Sequence, residues 1–139
     1  MNEVTKLIIF RKKIKTRILK KMITKIIYFL GADIPHSVCI GYNVEFCHNA
    51  LGTVIHPNTI IKNNVSIYQN VTIGKAKVKD DNEIEIIIDD GAILCSGAKI
   101  LANDKLIVGK NTIVAANSVL LQSTGDNEVW GGIPAKRLK

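Results

Sequence analysis

The chain has 139 residues, 47% of them apolar but only 5% aromatic, which bounds it to one domain whose core is built from aliphatic side chains. Its net charge of +7 is lopsided: residues 1–25 hold nine Lys or Arg against the single acid Glu3, and the remainder holds ten bases against eleven acids. The body of the chain is near neutral, so total charge gives no ground for a nucleic-acid partner, and none is expected.

Residues 5–30 predict one amphipathic helix. Lys6, Lys13, Arg17, Lys20 and Thr24 share a face, and Ile14, Ile18, Met22, Ile23, Ile26 and Leu30 occupy the opposite side. Gly31 is placed to stop it. Residues 1–31 then form a basic N-terminal helix, and residues 32–139 form the main domain with a short C-terminal tail. The helix either caps an open end of that domain or lies on an anionic membrane surface. The cap is the preferred expectation, because a repeat array needs its end covered. Lys and Arg interrupt every apolar run, so no secretory signal is expected, and nothing approaches the ~20 apolar residues of a membrane span. A cytoplasmic location is expected, with peripheral attachment at the inner membrane face as the alternative.

From Ile34 onward an apolar residue recurs every six positions. The register runs Ile34, Ile40, Phe46, then Ile55, Ile61, Ile67, Ile73, then Ile88, Leu94, Ile100, and finally Val108, Val114, Leu120. That period fits neither a helix nor a hairpin strand. It predicts an all-β solenoid, a parallel β-helix in which each hexad is one short strand plus a corner. The register breaks three times. Three extra residues lie between Phe46 and Ile55, a polar excursion spans about residues 75–86, and two extra residues lie near Asp104-Lys105. Loops that leave a rigid scaffold tend to carry function. The cysteines Cys39, Cys47 and Cys95 lack metal-site spacing, and their odd number suits reduced thiols.

Gly52-Thr53-Val54-Ile55, the run from Asn64 to Gly74, Gly97-Ala98-Lys99-Ile100-Leu101 and the closing Gly132-Ile133-Pro134-Ala135-Lys136 together resemble the hexapeptide-repeat acyltransferases. Within that family the sequence is most similar to the branch of serine acetyltransferases and polysaccharide O-acetyltransferases. The resemblance covers about residues 33–139. It implies a left-handed β-helix assembled as a homotrimer, with a site in each cleft between neighbours and acetyl-CoA as co-substrate. It also implies a catalytic histidine in a loop just before a Gly-containing strand, and His48 occupies that position. A neutral imidazole there takes the proton of the attacking hydroxyl, a role typically worth ~10²–10⁴ in rate. Asp33, fifteen residues earlier, matches an aspartate that orients the histidine in serine acetyltransferases, fixing its tautomer. Gly74, Ser96, Gly97, Ala98, Ala115 and Ala116 match the small residues along which the family threads the pantetheine arm. Lys136 and Arg137 are candidates for the 3′-phosphate, with Lys99 or Lys110 assisting.

Two departures bear on the acceptor. Serine acetyltransferases carry an acidic residue before the catalytic histidine, where this chain has Cys47, and a second histidine where this chain has Asn82-Glu83-Ile84-Glu85-Ile86. The expected reaction is therefore acetyl transfer from acetyl-CoA to a sugar hydroxyl of a surface polysaccharide or its precursor. Serine O-acetylation and a non-catalytic assembly module are the alternatives. No metal is expected, because His36, His48 and His56 lie twelve and eight residues apart, without the close pair of a three-histidine zinc site. Cys47 is not expected to act as a nucleophile, since neighbours on an extended chain face opposite ways.

Overall fold

Corners decide this fold, and the computed structural model, which describes residues 1–77 and 81–139, shows how the sequence makes them. Asn43, Asn64, Gly91, Asn111 and Asn127 turn one edge in left-handed backbone, and Gly52, Asn70, Gly97 and Asn117 turn another. That conformation costs most side chains ~1–2 kcal/mol, and Gly and Asn visit it most easily. The corners also brace one another: Asn43 Nδ2 donates to Asn64 at 2.8 Å, and Asn111 Nδ2 donates to Asn127 at 3.2 Å. At Gly52, Gly91 and Gly97 the amide oxygens of Asn70, Asn111 and Asn117 occupy the space a Cβ would need. Asn111→Ala is therefore expected to cost ~1–2 kcal/mol in urea unfolding, and Asn111→Gly clearly less. Equal losses would mean that the corner does not depend on left-handed backbone.

Between corners run short strands in three parallel sheets, wound as in a left-handed β-helix. The first face holds Val54–Ile55, Thr72–Lys75, Lys99–Ala102 and Val119–Leu120. The second holds Cys39–Ile40, Thr59–Ile61, Glu85–Ile88 and Lys105–Val108. The third holds Glu45–Phe46, Ser66–Ile67, Ile93–Leu94, Ile113–Val114 and a C-terminal hairpin. Each rung bonds in register to the next, as Val54 with Thr72 and Thr72 with Lys99. Every residue of the sixfold register is buried inside the prism except Ile40, which is half-buried on the first rung. Aliphatic side chains stacked at this spacing supply most of the stabilisation.

The N-terminal segment forms two helices, not the single one expected over residues 5–30: α1, Glu3–Lys13, and α2, Arg17–Phe29. The chain leaves the helical path at Ile14, whose side chain packs on the core; tertiary burial overrides the helical period. Helix α1 lies across the open first rung and sits on all three of its sides. Val4 and Ile8 are buried on the prism. Asn2 Nδ2 donates to Phe46 O at 2.5 Å, Lys12 Nζ to Gly41 O at 2.6 Å, and Arg11 to Ile34 O at 2.7 Å. These are carbonyls of the terminal rung, which has no further rung to bond, and an uncovered sheet edge invites misassembly. The expected cap is real: α1 bonds the first rung, and α2 adds Ile23 and Ile27 to the same core.

Two other boundaries differ from expectation. The insertion placed near Asp104-Lys105 is a tight turn at Asn103-Asp104, and Lys105 already belongs to a strand. The excursion of residues 75–86 is narrower, because Lys75 ends one strand and Glu85 and Ile86 begin the next. Its residues Val78, Lys79 and Asp80 lie outside the described residues. At the far end, Val129–Gly132 and Ala135–Arg137 pair antiparallel, and Trp130 lies in register beside Val114. The Trp130 indole donates to Glu128 at 2.8 Å, which closes the prism with a large, nearly buried side chain.

Candidate active site

His48 stands at the corner between the third and first faces, in the three-residue insertion after Phe46. His48, Asn49 and Ala50 have φ of 52°, 57° and 51°, a full left-handed turn without glycine. Such backbone is costly and persists only where surroundings enforce it. Here Asn49 Oδ1 accepts from the Val4 N–H at 3.4 Å, Ala50 is fully buried, and the Gly52 N–H donates to Gly31 O at 2.8 Å. The turn is thus clamped between α1 and the end of α2. Its product is an imidazole held out into solvent.

Asp33 opens the first face one rung below, bridged in parallel to Val54. Asp33 and His48 therefore share one corner on adjacent turns. Both side chains are exposed, and among the described residues no hydrogen bond or ion pair joins them. Leu51, Val54 and Tyr68 surround this corner and are 57%, 43% and 38% exposed. Cys47 beside His48 is half-buried, and burial together with the charge of Glu45 raises its thiol pKa. A thiol kept protonated is a poor nucleophile.

Further along the same corner a groove of about 400 Å³ is lined by Gln69, Asn70, Ser96, Gly97, Lys99, Asn117, Val119 and Ile133. Ser96 and Gly97 thus face open space, as do Ala115 and Ala116 on the next rung, half-buried and exposed. Ala98, expected among the ligand contacts, is instead fully buried in the core, with its N–H bonded to Cys95 O and its carbonyl to the Thr72 N–H. Gly74 lies on the first face beyond the corner. Lys99 Nζ is tied to Asn70 O at 2.7 Å. Lys136 and Arg137 line a separate hollow at the C-terminal end, and Arg137 pairs with Glu128 at 3.2 Å. Lys110 sits at the corner between the second and third faces.

Gln69 escaped the sequence reading. Its Oε1 is buried without a hydrogen-bond partner, a state that costs free energy unless a ligand N–H fills it. Only its place inside a motif-bearing hexad marked it, and nothing local distinguishes it from a corner residue. A larger hollow of about 660 Å³ lies on the second face, lined by residues such as Thr59, Glu85, Asp104 and Lys105. It contains none of the expected site residues, and volume without convergent chemistry is the weaker guide.

His36 and His56 follow the first face, away from the His48 corner. Among the described residues no three His, Cys, Asp or Glu side chains are grouped to hold a metal ion. Burial and the nearby Lys75 lower the pKa of His56, whose Nδ1 accepts from the Asn58 N–H at 3.1 Å.

No protein-family model matches the chain. A Schizosaccharomyces pombe protein, provisionally assigned as a serine acetyltransferase, is 39% identical over 67 residues, covering 48% of this chain and 24% of the relative. A truncated serine acetyltransferase apoenzyme superimposes with a TM-score of 0.75 at 32% identity, over 88% of this chain and 50% of the other. The Brucella abortus serine acetyltransferase in complex with coenzyme A gives a TM-score of 0.80 at 25% identity, over 96% of this chain and 54% of the other. This chain has the hexapeptide-repeat fold of the serine acetyltransferases. It spans about half the length of the solved structures it matches and a quarter of the yeast relative. Within this fold, the corner that carries His48, Gln69 and Ser96-Gly97 is the candidate site.

Proposed function

We propose that the chain is an acetyl-CoA-dependent O-acetyltransferase, with His48 as general base. The observation that carries this is the likeness of nearly the whole chain to the coenzyme A complex, with an exposed histidine at a corner beside a small-residue groove. In the reaction, His48 takes the proton of the acceptor hydroxyl as its oxygen attacks the thioester carbonyl. The tetrahedral adduct collapses, the C–S bond breaks, and the imidazolium returns the proton to the departing thiolate. Asp33 orients the imidazole and stabilises its cation. The groove takes the pantetheine arm, with Gln69, Ser96 and Gly97 along its wall. Lys136, Arg137 and Lys99 are the phosphate candidates.

The site is completed by a neighbouring subunit in a homotrimer. Support comes from the exposed Leu51, Val54 and Tyr68 around His48, a cluster that a neighbour would cover. Light scattering is expected to give three times the chain mass; a monomer with full activity would contradict the shared cleft.

Serine is the first acceptor to test, because the matched proteins are serine acetyltransferases and not sugar O-acetyltransferases. This reverses the order expected from the sequence. A sugar hydroxyl remains the second reading on one observation: Cys47, a raised-pKa thiol, stands where an ammonium would need a carboxylate. The deciding experiment measures free CoA release with serine and with a sugar panel. Release with neither would sink the proposal, and preference for a sugar would restore the second reading.

Asp33→Asn is expected to slow turnover less than loss of His48, since orientation goes but the base remains. The double variant with His48→Ala should be no slower than His48→Ala alone. Multiplicative losses would reject the pair as one unit.

A further inference from the structure

Helix α2 presents three unlike sides. Ile23 and Ile27 are buried inward, and the Thr24 hydroxyl accepts from Arg11 at 2.8 Å. Ile18, Met22, Ile26 and Phe29, on successive turns, are 72%, 55%, 47% and 86% exposed. Arg17, Lys21 and Lys25 each precede a member of that row by one residue and form a parallel exposed row of cations. No acid occurs anywhere in the helix. Since α1 already covers the first rung, the fold does not need this apolar row to seal its core.

An exposed apolar row of this length marks a contact surface. Its cover must be apolar and anionic together. A second copy offers the apolar row but also the same cations, nine bases against one acid in residues 1–25, which would face each other across a self-complementary contact. A bilayer with anionic headgroups meets both demands. Thirteen residues rise about 20 Å, short of the ~30 Å hydrocarbon thickness, and no helix among the described residues is long and apolar enough to cross a membrane. The helix must then lie in the interface plane. We infer that α2 docks on an anionic lipid surface, with Ile18, Met22, Ile26 and Phe29 entering the acyl boundary and Arg17, Lys21 and Lys25 meeting the headgroups. This rests on the helix alone and is independent of the reaction proposed above.

The test sediments the full-length protein with vesicles of phosphatidylcholine, alone or mixed with phosphatidylserine. Binding is expected only with phosphatidylserine and should be released by high salt. Replacing the three cations (Arg17→Gln, Lys21→Gln, Lys25→Gln) should weaken binding by about a hundredfold, at about fivefold per charge. Ile26→Ser with Phe29→Ser keeps every charge and should also release the protein. Phe29→Trp gives a second readout: a fluorescence blue shift with phosphatidylserine vesicles that the parent, whose Trp130 sits at the opposite end of the prism, does not show. Absence of binding, or binding indifferent to Ile26 and Phe29, overturns the inference. So does a smaller oligomer for the serine variant without lipid, which would assign the row to a second copy.

Discussion

His48→Ala is expected to lower turnover by at least ~10² while leaving acetyl-CoA affinity nearly unchanged, because a general base acts mainly in the transition state. Stability should hardly move. The His48 side chain is exposed and makes no hydrogen bond among the described residues, so its removal exposes no orphaned partner. His48→Gly sharpens the test, since glycine adopts the left-handed turn freely: the variant should be inactive yet at least as resistant to urea as the parent. Equal losses of binding and turnover in both variants would make His48 a structural residue. Retained turnover would end the general-base proposal.

Arg11→Met carries the largest expected effect on stability. Arg11 is 4% exposed, and its guanidinium donates to Thr24 Oγ1, Ile34 O and Pro35 O, at 2.8, 2.7 and 3.4 Å. It thereby ties α1 to α2 and both to the first rung. Burial lowers its pKa to about 10, so it stays charged at neutral pH. Methionine keeps much of the volume but leaves Ile34 O without its donor, whereas Pro35 O keeps the Val38 N–H and the Thr24 hydroxyl still donates to Lys20 O. An orphaned buried acceptor costs ~1–3 kcal/mol, so the total loss should be near 3 kcal/mol in urea unfolding. Arg11→Lys, with a single donating nitrogen in place of the fork, should recover only part of it. A loss below ~1 kcal/mol would mean that α1 is held by Val4 and Ile8 alone.

The solenoid was legible because its period is one that no other regular structure shares. Twelve of the thirteen register residues are buried, and the exception, Ile40, is half-buried and packs against the core. The corner code was equally present in the chain, as Asn and Gly recurring once per turn on two edges. It is a backbone requirement that hydrophobic periodicity does not reveal. His48 was visible as a histidine inside an insertion; its left-handed turn was not, because that turn depends on Val4 and Gly31, distant in sequence.

By itself, then, the sequence determined the repeat, the three interruptions and the basic N-terminal segment, since each is a matter of local spacing. Tertiary structure alone decided how that segment is used. One continuous amphipathic pattern became two helices because Ile14 gained more by packing on the core than by extending the helix. Arg11, outwardly one more surface cation, became the buried clamp because the Ile34 carbonyl of the first rung, which has no rung beyond it, stands within its reach. Gln69 joined Ser96 and Gly97 in one groove only when successive turns stacked, bringing residues 27 and 28 positions apart side by side.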